Sequence, residues 1–227
     1  MLEVHNIKVY DLRESITACR NAMRLEIPEY TDEEFEKGLE RAKKLVRASK
    51  NSPNVKCHDN FMTGIRVSFD LKYTQYITKQ CQRYHWFDYV SSSSLMHRLV
   101  KMDADSACNK YVSQRSVDDL QKYIDQYNEI ASMESYPMEG NPMAFELRDG
   151  TVLIAETKGD ALYYAYMQCL SNCPMGVELF VRVSTNYKQL QTMYFQRKDH
   201  KLREDWGEFC KFVENLPYAK ELILGEE

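Results

Sequence analysis

Cationic and hydroxyl side chains are concentrated between residues 80 and 98. Gln80, Arg83 and His85 precede the run Ser91–Ser94, and Arg98 follows it. Arginine and serine bind phosphate groups, and histidine transfers protons near neutral pH. The same residues also suit a helix end with surface cations, followed by a serine that caps the next helix. The residue types alone leave both interpretations open.

A second set of polar residues lies at the two ends of one predicted helix. Alternating apolar residues predict a strand over Val177–Val183, and apolar residues then recur at helical spacing up to Arg197. Asn186 and Arg197 are therefore expected at opposite ends of about three helical turns, roughly 16 Å apart. An anionic ligand could lie between them. A cation at a helix C-terminus is also favoured by the helix dipole, which would explain Arg197 without a ligand.

The third candidate is the tetrapeptide Cys57-His58-Asp59-Asn60, which precedes a strand predicted over Ile65–Leu71. His58 could be a ligand-binding residue or an ordinary loop residue. We predict no metal site, because the pair Cys169 and Cys173 has no second pair of ligands nearby. Gly-rich phosphate loops and the GxSxG elbow are absent, so a nucleotide would have to be held by side chains.

Composition excludes several classes of protein. The 227 residues carry a net charge of −4, which argues against general nucleic-acid binding. No apolar run approaches the roughly 20 residues of a membrane span, and the first residues do not resemble a secretion signal. Seven cysteines at irregular spacing suggest reduced thiols. We therefore expect a cytoplasmic protein without a membrane partner.

Helices and strands alternate along the chain, which predicts a single mixed α/β domain over residues 1–227. Ser116-Val117-Asp118-Asp119 predicts a helix start, and Asp149-Gly150 predicts a hairpin turn. An apolar, tyrosine-rich helix is expected over Lys158–Ser171. A last helix should direct Trp206 inward.

Taken together, the three clusters resemble the flavin-dependent thymidylate synthase family. That family has a histidine before a strand, a glutamine before an Arg-His-Arg motif, and later an Asn followed eleven residues on by an Arg. Here Gln80 precedes Arg83-Tyr84-His85, and Asn186 precedes Arg197 by that interval. Tyr84 stands where the family has His, His85 stands where it has Arg, and the family's Asn-Glu pair is missing. This version of the motif is similar to that of small phage-encoded relatives.

The resemblance implies an α+β fold with a mixed or antiparallel sheet flanked by helices, and a homotetramer with active sites between subunits. It implies binding of FAD and dUMP, with methylenetetrahydrofolate as the carbon donor, in the host cytoplasm if the protein is phage-encoded. Carried over by position, three roles are implied: catalysis for Ser93 and Ser94, substrate binding for Gln80, Arg83, Arg98 and Arg197, and cofactor binding for His58, His85 and Asn186.

Two alternatives remain beside the enzyme. The first is a non-catalytic relative that keeps the pocket and sequesters or senses a nucleotide. The second is an interaction protein in which the fold serves only as a scaffold.

Overall fold

The computed structural model describes residues 1–51, 58–136 and 141–226. Helices and antiparallel strands alternate along these residues, so the predicted mixed α/β class is confirmed. The strands are β1 (Glu3–Tyr10), β2 (Arg66–Thr74), β3 (Asp88–Ser92), β4 (Met143–Glu146), β5 (Val152–Ala155) and β6 (Glu178–Asn186). The helices are α1 (Leu12–Ala18), α2 (Asp32–Asn51), α3 (Gln75–Cys81), α4 (Leu95–Arg98), α5 (Ala104–Ala107), α6 (Gln114–Ser132), α7 (Lys158–Ser171), α8 (Tyr187–Arg197) and α9 (Arg203–Glu214).

The chain divides into two compact units. The first comprises residues 1–73, 77–92 and 180–227, and the second comprises residues 74–76 and 93–179. The second unit is thus formed almost entirely by the segment between β3 and β6. The prediction of a single domain stays a prediction.

The first unit is built on a four-stranded sheet with the order β1-β2-β6-β3. Strand β1 pairs antiparallel with β2, and β3 pairs antiparallel with β6. Along β2, Val67, Phe69 and Leu71 are fully buried, whereas the residues between them are half-buried. The buried face packs on aromatic side chains of α9, where the ring centroids of Phe69 and Phe212 are 4.7 Å apart. This core fixes α9 against the sheet.

Strand β6 passes directly into α8, as the sequence predicts. The buried Asn186 ends the strand and caps the helix, since its side-chain oxygen accepts a hydrogen bond of 2.8 Å from the Gln189 backbone N–H. Arg197 is the last residue of α8. The predicted placement of these two residues at opposite helix ends is confirmed.

The second unit packs α6 and α7 against the β4–β5 hairpin. Gly150 adopts a φ of 85° in the turn, a conformation that glycine adopts without a steric penalty. The predicted helix start at Ser116 is wrong by one turn. Ser113 is the cap, because its hydroxyl accepts from the Ser116 backbone N–H at 3.3 Å. Both serines suit a cap, and the sequence pattern does not distinguish them.

We predict opposite stability effects for alanine at two helical glycines. In α2, a Cβ at Gly38 would lie 2.8 Å from the Ile16 carbonyl oxygen and 2.9 Å from Thr17 Cα of α1. Gly38→Ala should therefore lower the free energy of unfolding by about 1–3 kcal/mol through overpacking. In α9, a Cβ at Gly207 meets nothing within 4 Å. Gly207→Ala should raise the free energy of unfolding by up to about 1 kcal/mol through helix propensity.

Urea denaturation of the two variants and the unmodified chain measures both changes. If Gly38→Ala is as stable as Gly207→Ala, the close approach of α1 and α2 at Gly38 does not constrain the fold.

Candidate functional site

Arg197 forms the centre of a cluster of contacts within the first unit. Its Nε donates a hydrogen bond of 2.7 Å to the Tyr84 hydroxyl, and its Nη1 donates one of 3.1 Å to Gln80 Oε1. Tyr84 follows α3, and Gln80 lies in its last turn. The end of α8 is therefore tied to the end of α3 by two hydrogen bonds that fix the plane of the guanidinium group.

Two aromatic rings also contact this guanidinium group. The Arg197 Cζ lies 4.5 Å from the ring centroid of Trp206 and 5.4 Å from that of Tyr84. Both distances are within the range of cation–π attraction. Trp206 is fully buried, and its indole N–H donates to Gln80 Oε1 at 3.2 Å. The Gln80 oxygen thus accepts two hydrogen bonds, which leaves the Gln80 amide nitrogen as a donor.

Arg197 is held by uncharged groups. Among the residues that the structure describes, no carboxylate lies within ion-pair distance of its guanidinium group, and no acceptor contacts its Nη2. A half-buried cation without a neutralising partner attracts anions more strongly than a solvated one. The arrangement suits a phosphate or an electronegative oxygen of a ligand.

Two ionisable side chains close to Arg197, the Tyr84 hydroxyl and the Cys81 thiol, are protonated at neutral pH. Burial raises the pKa of the Tyr84 hydroxyl, an effect that the Arg197 side chain opposes. The hydroxyl donates a 3.0 Å hydrogen bond to Gln196 Oε1. Burial raises the pKa of the Cys81 thiol to about 12. Since thiolate is the reactive form, burial disfavours Cys81 as a nucleophile.

His200 lies next to the same cluster. Its ring centroid is 6.2 Å from that of Trp206, and its Nδ1 accepts a 3.1 Å hydrogen bond from the Leu202 backbone N–H. Desolvation lowers the pKa of His200, and the charges of Arg197 and Lys201 lower it further. The neutral imidazole is therefore favoured at neutral pH.

The structure brings two of the sequence-predicted substrate-binding residues together, namely Gln80 and Arg197. Arg83 and His85 lie on either side of Tyr84 in sequence and are exposed. The His85 ring packs edge-on against Trp86 at 4.6 Å. Asn186 is buried, and its side-chain oxygen is used as the helix cap. The ligand-binding roles of these residues stay predictions.

The remaining predicted residues of the motif belong to the second unit. The Ser93 hydroxyl accepts a hydrogen bond of 3.4 Å from Arg98 Nη1. The Ser94 hydroxyl caps α4 by accepting from the His97 backbone N–H at 3.4 Å. The serine cap that the sequence suggested is thus present. The catalytic roles of Ser93 and Ser94 and the substrate-binding role of Arg98 stay predictions.

His58 is exposed in a turn, and Cys57 lies outside the described residues. The next residue, Asp59, is buried and forms an ion pair with Lys188 of α8. Asp59 Oδ1 has no hydrogen-bond partner among the described residues. Asp59 and Lys188 line a cavity of about 310 Å³ in the first unit, together with Phe195. The sequence reasoning did not identify this carboxylate as a buried group.

Sequence reasoning also missed Tyr84 and Trp206 as parts of the site. Tyr84 is a departure from the family motif and was not assigned a role. Trp206 was expected to be buried, as it is, but not to contact an arginine. The one feature of the sequence that could have pointed to this role is Tyr84, an aromatic residue where the family motif has a histidine.

Within residues 1–51, 58–136 and 141–226, no group of three or more His, Cys, Asp or Glu side chains could hold a metal ion. In the same part of the chain, no helix has the length and apolar character needed to cross a membrane.

No protein-family model and no curated protein matches the sequence. The fold, however, is similar to that of enzymes of known structure. A flavin-dependent thymidylate synthase of Helicobacter pylori in complex with FAD and dUMP is 15% identical with a TM-score of 0.58, over 99% of this chain and 100% of that chain. A second structure of the Helicobacter pylori enzyme with FAD and dUMP is 14% identical with a TM-score of 0.54, over 98% and 97%.

A UMP/dUMP methylase of Streptomyces cacaoi bound with 5-bromo-dUMP is 11% identical with a TM-score of 0.56, over 99% of this chain and 93% of that chain. The chain therefore has the fold of flavin-dependent thymidylate synthases, as the sequence resemblance implies.

We predict that Tyr84→Phe lowers stability, because it leaves the half-buried Arg197 Nε without its acceptor. The free energy of unfolding should fall by about 1–3 kcal/mol. Tyr30→Phe is the matched control, because Tyr30 is exposed, and it should change stability by less than about 0.5 kcal/mol. Urea denaturation measures both. Equal stabilities of the two variants would mean that the Tyr84–Arg197 contact does not hold the cluster.

We predict that the pKa of His200 rises when Arg197 is replaced. Because the folded-state pKa of His200 is lowered, this residue makes stability fall as the pH decreases through the unfolded-state value of about 6.5. Arg197→Gln removes one cause and should shift the pKa back toward that value. NMR titration of the imidazole measures the shift, and Lys201→Gln should produce a smaller one. An unchanged titration in Arg197→Gln would contradict the coupling.

Proposed function

We propose that the protein binds a pyrimidine nucleotide such as dUMP at Arg197 in the first unit. The observation that carries this proposal is a guanidinium group fixed by Tyr84, Gln80 and Trp206 without a neutralising carboxylate among the described residues. A group held in this way is oriented before the ligand arrives, which lowers the entropic cost of binding.

The hydrogen-bonding groups around Arg197 support an electronegative ligand. The Gln80 oxygen accepts from Arg197 and Trp206, and the Gln196 oxygen accepts from Tyr84. The amide nitrogens of the two glutamines and Arg197 Nη2 remain as donors. Phosphate oxygens and the carbonyl oxygens of a pyrimidine accept hydrogen bonds of this kind.

The structural neighbours support the same ligand class. Two of them are complexed with FAD and dUMP, and the third is bound with 5-bromo-dUMP. We propose the finer function on this basis: methylation of dUMP to dTMP with FAD and methylenetetrahydrofolate. A homotetramer and a cytoplasmic location belong to the same proposal.

The exposed residues around the motif fit a flavin in part. Arg83 offers a cation for a diphosphate, and the exposed rings of His85 and Trp86 offer contacts for a flat ring system. His58 is exposed and available as well. Asn186 fits less well, because its side-chain oxygen is already used in the helix cap. When bound, a flavin would supply the redox chemistry of the reaction.

In this proposal the side chains of the protein bind the nucleotide and orient it for the reaction. Arg197 holds the nucleotide, and Tyr84 and Trp206 hold Arg197. His200, whose lowered pKa favours the neutral imidazole, is an available proton acceptor beside the site. Ser93 and Ser94 are the hydroxyl groups proposed for the reacting centre.

A nucleotide-binding protein without turnover is the second candidate. The observation that favours it is that both proposed catalytic hydroxyls are engaged elsewhere, Ser93 with Arg98 and Ser94 with the α4 backbone. Such a protein would sequester or sense the nucleotide. A scaffold that binds only other proteins would not need Arg197 at all.

We predict that dUMP raises the thermal stability of the protein and that Arg197→Gln abolishes the effect. At a concentration one hundred times the dissociation constant, a ligand stabilises the folded state by about 2.7 kcal/mol. Arg115→Gln is the matched control, because Arg115 is an exposed arginine of α6, and it should keep the full stabilisation. Differential scanning fluorimetry with a nucleotide panel measures both variants.

Absence of stabilisation by every nucleotide would overturn the binding proposal. To separate the two candidates, the protein is titrated with FAD and assayed for dTMP by mass spectrometry. If the protein binds a nucleotide but neither binds flavin nor forms dTMP, it is the nucleotide-binding protein without turnover. If dTMP forms, the protein is a thymidylate synthase.

A further inference from the structure

His200 lies in the connection between α8 and α9, and the backbone fixes the form of its imidazole. Its own N–H donates a 3.0 Å hydrogen bond to the Arg197 carbonyl, and its Nδ1 accepts one of 3.1 Å from the Leu202 backbone N–H. A ring nitrogen that accepts carries no proton, so the proton of the neutral imidazole is on Nε2. Among the described residues, no acceptor contacts Nε2. The neutral side chain therefore has one donor without a partner.

The imidazole of His200 and the guanidinium group of Arg197 are neighbours on one indole ring. The ring centroid of Trp206 is 4.5 Å from Arg197 Cζ and 6.2 Å from the centroid of the His200 ring. Trp206 is fully buried, and His200 is half-buried. Charges in such partly desolvated positions interact more strongly than they do in bulk water. A ligand charge at Arg197 therefore acts on the imidazole as well.

The groups around His200 oppose a positive charge on its ring. Desolvation lowers the pKa of His200, and the charges of Arg197 and Lys201 lower it further. The charged residues on the elements next to the imidazole are Arg197 and Lys198 at the end of α8, Asp199 and Lys201 in the connection, and Arg203, Glu204 and Asp205 in the first turn of α9. Asp205 is buried and accepts a hydrogen bond of 2.9 Å from the Leu2 backbone N–H.

We propose that His200 takes up a proton when an anion binds at Arg197, and that the imidazolium then serves as a second positive group of the site. This inference rests on the proposed ligand site at Arg197 and adds a proton-linked residue to it. The anion offsets the positive charges of Arg197 and Lys201, which oppose protonation in the free protein. The proton comes from solvent and enters at Nδ1, which releases the Leu202 N–H.

Thermodynamic linkage fixes the direction of the pH dependence. An anion that raises the pKa of His200 binds more tightly to the protonated form, by the same factor. The affinity for an anion of constant charge should therefore increase as the pH falls through the pKa of His200 in the complex. It should level off below the pKa in the free protein, which is the lower of the two.

The choice of anion matters for this measurement. The phosphate of dUMP takes up a proton itself with a pKa of about 6, which would obscure the contribution of His200. Sulfate keeps both of its charges over the same pH range. We therefore use sulfate for the pH series and dUMP for the test of the nucleotide.

NMR titration of the His200 imidazole, without ligand and with saturating dUMP or sulfate, tests the proposal directly. Each anion should raise the pKa by at least about 0.5, which corresponds to about threefold tighter binding to the protonated form. In Arg197→Gln, neither anion should raise it. Calorimetric titration with sulfate, in buffers that differ in ionisation enthalpy, measures the proton that is taken up on binding.

His200→Asn separates protonation from structure. An asparagine oxygen can accept from the backbone N–H two residues on, as the imidazole does here, but it does not titrate. This variant should bind sulfate without proton uptake and without the increase in affinity at lower pH. His5→Asn is the matched control, because His5 is an exposed histidine of β1 that contacts Glu3, and it should keep both effects. Thermal melting establishes that each variant is folded.

The outcomes distinguish this inference from the proposed nucleotide site. If dUMP binds and the pKa of His200 does not change, the proton linkage is overturned and the nucleotide site stands. If only sulfate binds and raises the pKa, the linkage stands and the nucleotide is rejected. Proton uptake that persists in His200→Asn belongs to another group and overturns the proposal. If neither anion binds, both the nucleotide site and the linkage are rejected.

Discussion

The site depends on the contacts of one guanidinium group. Arg197 donates to Tyr84 and Gln80 and lies against Trp206. Burial of an ion without a counter-ion costs several kcal/mol unless hydrogen bonds and polarisable rings compensate. Here neutral oxygens and two rings provide that compensation, so the positive charge is positioned without being cancelled. An anion that reaches Arg197 has no internal carboxylate to displace among the described residues.

The fold supplies the rigidity that this arrangement needs. Asn186 fixes the start of α8 at the end of a central strand. Tyr187, the first residue of α8, is fully buried. Its hydroxyl donates a 2.8 Å hydrogen bond to the Pro217 carbonyl. Trp206 and Phe209 anchor α9 in the aromatic core, with ring centroids 5.4 Å apart. The guanidinium group is therefore positioned by a strand end, a helix end and a core tryptophan, all within the first unit.

The sequence predicted the parts of this site that depend on local pattern. Alternation and helical spacing placed Asn186 and Arg197 correctly, and the family resemblance singled out Gln80. The contact of Arg197 with Tyr84 joins residues 113 positions apart, and no local periodicity encodes it. Strand β3 was not predicted because its short, aromatic start resembles a loop, and its pairing with β6 decides its conformation. The buried Asp59 was missed because its partner, Lys188, is 129 residues away.

The chain contains two tryptophans, and the fold places them in contrasting environments. Trp86 is half exposed next to His85, whereas Trp206 is fully buried beneath Arg197. An indole that is shielded from water emits at shorter wavelength than one that faces solvent. When tryptophan is excited selectively over the 16 tyrosines, the short-wavelength part of its emission therefore arises from the residue that supports the guanidinium group. The protein carries its own optical reporter of the state of Arg197, and it needs no added label.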